Sequence, residues 1–190
     1  MHKGRVEAFS DGVIAILITI MVLELHVPKS PTVHALRPLV PVLLSYVLSF
    51  IYLGIYWNNH HHLLQATRHV SGAVLWANLH LLFWLSLFPS VSAWMGENHF
   101  AKVPVLFYGI VALAAAVAYY ILQTTIVRLD GAASPLAEAI GRDLKGKMSP
   151  VLYATAIPAA LLNRWISVAL YVTVAVIWLI PDRRVERQLA

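Results

Sequence analysis

Not one of the 190 residues is a cysteine. A disulfide framework and a thiolate metal site are therefore both excluded. Charge is scarce as well: Asp, Glu, Lys and Arg make up 12% of the chain, against 59% hydrophobic residues. The motifs of soluble catalysis are missing. There is no GxxxxGK[ST], no GxSxG and no HExxH. A TVGYG-like filter is also absent. The later apolar runs carry no deep charge, which argues against a proton-coupled or ion-pair-switching transporter. No internal repeat and no low-complexity tract stands out.

What remains is apolar. The mean hydropathy is +0.71, more than a soluble domain of this length can hide. The hydrophobic blocks have the length of membrane spans. Six are expected, at about 5–27, 39–57, 74–95, 103–123, 150–162 and 165–180. The fold class is all-α, a polytopic membrane protein of six transmembrane helices without a pore loop, in one unit covering 1–190. Prolines punctuate it: Pro28, Pro38, Pro41, Pro104, Pro150 and Pro181 flank spans, while Pro89 and Pro158 fall inside them. Arg5, Glu7 and Asp11 do not form the basic start of a signal peptide, so no cleavage is expected. The loop 134–147 has Ser134 and Pro135 as a helix start and Leu136, Ile140 and Leu144 on one face. A surface helix and a solvated linker both fit it.

The net charge is +5. In so apolar a chain, orientation in a bilayer explains it better than nucleic acid does. With both termini cytoplasmic, ten Lys and Arg lie inside. Lys29, Arg37, Lys102 and Arg164 lie outside, completing the fourteen. The positive-inside rule favours that arrangement.

The first span, "RVEAFSDGVIAILITIMVLEL", carries Arg5, Ser10 and Asp11 in or beside its apolar run. A charge at the bilayer centre costs roughly 2.5–3.5 kcal/mol or more, so Asp11 is expected to face other helices of its own subunit. At about 100° per residue, Ile16, Ile20 and Leu23 form one stripe flanked by Thr19. Ser10 and Asp11 point roughly 120–140° away from Ile16. Spacing alone leaves the stripe as either packed core or a face toward a symmetry axis. Trp57, His60, His61 and Asn78 lie at matching depth as hydrogen-bond partners for Asp11, with Arg5 as a charge partner. Three adjacent histidines, 60 to 62, point in three directions, which disfavours a metal site.

These residues carry a resemblance. The stretch beginning at Arg5 resembles the RxxxFSDG signature of bacterial relatives of transmembrane protein 175, a potassium channel of endosomes and lysosomes. "YWNNHH" and "LWANL…P" continue the match into spans two and three. His80 departs from it, where an apolar residue would be less surprising. The resemblance implies a homotetramer in the bilayer, potassium and other monovalent cations as permeant ions, and no cofactor. It implies a pore lined by the first span, with a hydrophobic constriction at Ile16 and further lining by Thr19, Ile20 and Leu23. Arg5, Ser10, Asp11, Trp57, His60, His61 and Asn78 resemble the family's structural polar network. The expected activity is passive potassium permeation, weakly to moderately selective over sodium, in a bacterial inner membrane. A small secondary transporter or a non-conducting membrane scaffold are the alternatives.

Overall fold

The computed structural model describes residues 3–28, 30–131 and 144–179. Helix α1 spans Lys3–Ile20 and runs on into a 3-10 turn, Met21–Glu24. A second 3-10 segment, Val33–Leu39, leads into α2, Val40–Ala66, with Pro41 in its first turn. Next come α3, Gly72–Ser86, and α4, Phe88–Glu97. Then follow α5, Lys102–Asp130, α6, Leu144–Leu162, and α7, Arg164–Leu179. Counting α3 and α4 as one interrupted span, this is a six-helix membrane fold without strands among the described residues. The first four spans are long and apolar enough to cross a bilayer; α6 and α7 close the fold as a hairpin turning at Asn163.

Several boundaries differ from the sequence reading for simple reasons. Helix α2 continues past Trp57 to Ala66, because the polar run "NNHHH" marks a change of environment and not a helix breaker. The third span breaks at Leu87, where Pro89 enters the first turn of α4 and cannot donate back. Of the loop 134–147, Leu144–Lys147 form the first turn of α6; its expected cap at Ser134 and apolar residues Leu136 and Ile140 lie outside the described residues.

Helix α5 is the hub, packed against α3, α4, α6 and α7. It is pinned to α7 at Gly109, where an added Cβ would strike the Tyr171 hydroxyl. Helix α1 sits at the edge, touching α2, α3 and α4. One side of it, Val6, Ser10, Ile14, Leu17 and Met21, is buried. The opposite side meets no other part of the chain.

The polar clamp and the open face of helix 1

The clamp is built from residues that share a depth. Ser10 is fully buried on α1 and its hydroxyl accepts from the Asn78 amide on α3 at 2.9 Å. The Asn78 oxygen in turn lies 2.7 Å from His60 Nε2 on α2. Asn78 therefore engages both neighbours with both ends of its amide, a match that aliphatic side chains cannot supply. The amide donates to Ser10, so its oxygen is the acceptor, and the His60 hydrogen sits on Nε2. One residue along α1, the Trp57 indole N–H donates to Asp11 Oδ1 at 3.1 Å. His61 stacks on Trp57, with ring centroids 6.1 Å apart and planes 23° from parallel. His62 meets His61 edge-on at 5.8 Å.

The residues named from sequence thus form two linkages: α1–α3–α2 through Ser10, Asn78 and His60, and α1–α2 through Asp11 and Trp57. Arg5 is different. It is exposed and makes no hydrogen bond or ion pair among the described residues. It lies about 120° around the helix from Asp11 and almost two turns below it, so it cannot serve as its charge partner. Among the described residues, no group of three or more His, Cys, Asp or Glu is placed to hold a metal.

The stripe lies on the other side of α1. Ile16 is 56% exposed, Ile20 42% and Leu23 76%, while Ile14, two residues from Ile16, is fully buried. Thr19 is exposed, and its hydroxyl donates back to the Ile16 and Ala15 carbonyls at 2.9 and 3.1 Å. With its hydrogen so engaged, the oxygen can present only lone pairs outward. A cavity of about 50 Å³ lies elsewhere, between α2, α5, α6 and α7, lined by Tyr56, Asn59, Gln123 and Trp178 among others; no α1 residue lines it.

Two contacts escaped the sequence reading. His80 is exposed on α3, and its Nε2 accepts from the Trp84 indole N–H at 3.0 Å. The buried carboxylate of Asp130, at the end of α5, accepts from the Arg68 backbone at 3.0 Å and lies 3.4 Å from His69. It ties the turn between α2 and α3 to α5. The i, i+4 spacing of His80 and Trp84 was a usable signal for the first; nothing local in sequence pointed to the second.

The sequence profile described as "Endosomal/lysosomal potassium channel TMEM175" matches residues 5–89. A protein of Chryseobacterium sp. (strain P1-3), named as a potassium channel, is 52% identical over 189 residues, covering 100% of this chain and 98% of its own. The chain belongs to the TMEM175 family. A potassium channel of Streptomyces collinus is 35% identical over 146 residues, 73% of this chain and 71% of that one. Among solved structures, a lysosomal potassium-selective channel TMEM175 homolog from Chamaesiphon minutus superposes with a TM-score of 0.82. It is 29% identical and covers 93% of this chain and 95% of that one. The TMEM175 profile thus ends within the first turn of α4, and covers both the clamp and the open face of α1.

Proposed function

We propose that this chain is a potassium channel subunit, and that four copies enclose a pore lined by the exposed stripe of α1. As a channel it performs no covalent chemistry and needs no cofactor. Ile16 forms an apolar collar, Ile20 and Leu23 continue the lining, and Thr19 offers hydroxyl oxygens beside the narrow region. Such a collar controls ions by its width and dryness. Both termini lie on the cytoplasmic side of a bacterial inner membrane, in keeping with the Lys and Arg distribution.

The observation that carries this reading is the division of α1. Its buried side, with Val6, Ile14, Leu17 and Met21, is held by the polar clamp, while Ile16, Ile20 and Leu23 stay exposed on the other. The clamp explains why Asp11 is tolerated. It fixes the rotation of the helix about its own axis, and so fixes which residues face the pore.

The test compares Ile16→Asn with Ile14→Asn in purified protein in liposomes. Ile16→Asn wets the collar, so potassium and sodium fluxes rise several-fold and discrimination between them weakens. Ile14→Asn, about 160° away on the helix, lowers stability without raising flux. Unchanged fluxes from an intact Ile16→Asn assembly would remove Ile16 from the pore.

A further inference from the structure

The open face of α1 is wider than the aliphatic stripe. Beside Ile16, on the flank away from α3, lie Ala8, Gly12 and Ala15, all exposed. A Cβ added at Gly12 would meet nothing within 4 Å. On a helix turning about 100° per residue, Ser10, which faces α3, lies about 120° from Ile16 in one direction. Gly12 and Ala8 lie about 40° and 80° from it in the other. One flank of the stripe is therefore taken by the subunit's own α3, and the opposite flank is a shallow trough of small side chains.

Helix α3 has the converse surface. Opposite Asn78 it presents Trp76 (75% exposed), Phe83 (56% exposed) and, between them, exposed His80. With Nε2 accepting from Trp84, the neutral imidazole carries its hydrogen on Nδ1. That N–H has no partner among the described residues. A polar donor turned to hydrocarbon is costly, and intramembrane histidines almost always face protein or water.

We propose that this α3 ridge of one subunit packs into the α1 trough of the next, and that this contact closes the ring around the pore. The inference rests on the axis-facing reading of the Ile16 stripe. If the stripe faces a rotation axis, each α1 has its own α3 on one side and a partner subunit on the other. The partner, by the same rotation, presents the flank that carries its α3. The contact is heterologous and closes into a ring. Its register follows from the clamp. The Ser10–Asn78 hydrogen bond sets those two residues at one depth. Helices α1 and α3 run in the same direction, separated by the antiparallel α2, and each rises about 1.5 Å per residue. Trp76 is then level with Ala8, His80 with Gly12 and Phe83 with Ala15. Rotation about an axis along the bilayer normal preserves depth, so the same levels meet between subunits. Each large side chain faces a small one, the arrangement by which membrane helices pack closely. At Gly12 the exposed backbone also offers carbonyl oxygen to the His80 Nδ1–H of the partner subunit.

The absence of cysteine makes the test clean. The double variants Gly12→Cys with His80→Cys, and Ala8→Cys with Trp76→Cys, are oxidised in membranes and run on a non-reducing gel. Each single variant, and Gly12→Cys with Val117→Cys on the exposed side of α5, serve as controls. A ladder of dimer, trimer and tetramer from at least one paired variant, with none from the controls, supports the contact. Two independent pairs keep the test decisive if one variant fails to fold. Monomer bands from both pairs, in a protein whose mass is tetrameric, overturn this interface and leave the pore reading standing. A monomeric mass for the unmodified protein overturns both.

Discussion

In the amino-terminal half, Asn78 joins Ser10 to His60 through side chains alone, and Trp57 holds Asp11 in the same way. Where α5, α6 and α7 pack against one another and against α2, most buried side chains end on backbone. The Tyr52 hydroxyl donates to the Tyr171 carbonyl at 2.7 Å, Tyr171 to the Val105 carbonyl at 3.0 Å and Ser167 to the Ala156 carbonyl at 2.6 Å. Among the described residues, Ser49 with Tyr108, Trp178 with Ser149, and Tyr52 with Tyr153 are exceptions. The difference has a consequence for specificity. A bond between side chains needs two particular residues at one depth, and fixes how one helix is rotated against another. A bond to a carbonyl needs only one particular residue, since every helix offers carbonyls. The first kind suits α1, whose rotation, on the proposed reading, decides what faces the pore. The second suits a scaffold that only has to stay packed.

This contrast breaks most sharply at Asn78. Asn78→Ala removes two hydrogen bonds and leaves the buried Ser10 hydroxyl and the His60 Nε2–H without partners. The expected loss is about 3 kcal/mol, because a buried group left unpaired costs roughly 1–3 kcal/mol. Thermal unfolding in mild detergent measures it, and potassium flux should fall at the same time because α1 is free to rotate. A stable, conducting Asn78→Ala protein would mean the clamp does not position the helix.

The carboxyl-terminal half should respond to shape before it responds to hydrogen bonding. Gly109→Ala drives a methyl group into the Tyr171 hydroxyl, and overpacking of this kind costs about 1–3 kcal/mol. Tyr171→Phe alone loses one bond to a carbonyl, about 1 kcal/mol. The double variant should be more stable than the sum of the two losses, since the phenylalanine removes the atom that the new methyl group meets. Simple additivity would show that the strain lies in the backbone approach of α5 to α7 and not in that hydroxyl. Selectivity between potassium and sodium should be unchanged in all three.

The same contrast explains how far the sequence could be read. Polar residues within apolar runs have few places to go, so depth along the spans groups Ser10, Asp11, Trp57, His60 and Asn78 from the sequence alone. Depth alone also groups Arg5 with them as a charge partner, but rotation about the helix places it about 120° from Asp11. The tyrosine contacts left no trace, since a hydroxyl that ends on a carbonyl has no partner residue to find. The end of α2 was missed because the polar run "NNHHH" changes the surroundings of a helix without ending it. The break at Leu87 shows in the sequence only as Pro89 inside a span.

The smallest expected effect belongs to Asp11→Asn, and it sharpens what the clamp uses. The Trp57 indole needs an acceptor, and the side-chain carbonyl of asparagine provides one at the same position. Asp11 forms no ion pair among the described residues, so the substitution removes a charge that nothing nearby neutralises directly. Hydrogen bonds to charged groups are stronger than neutral ones, by roughly 1 kcal/mol, but removing a charge from within a membrane span also relieves a cost. The two nearly offset, and stability should change by less than about 1 kcal/mol. Asp11→Ala should fall well below Asp11→Asn in unfolding temperature, because it leaves the indole N–H without its acceptor. Potassium flux at matched protein amounts should follow stability in both variants. Were Asp11→Asn instead to keep its stability and change the ratio of potassium to sodium flux, the carboxylate would act on the ion itself, and α1 would present a different side to the pore.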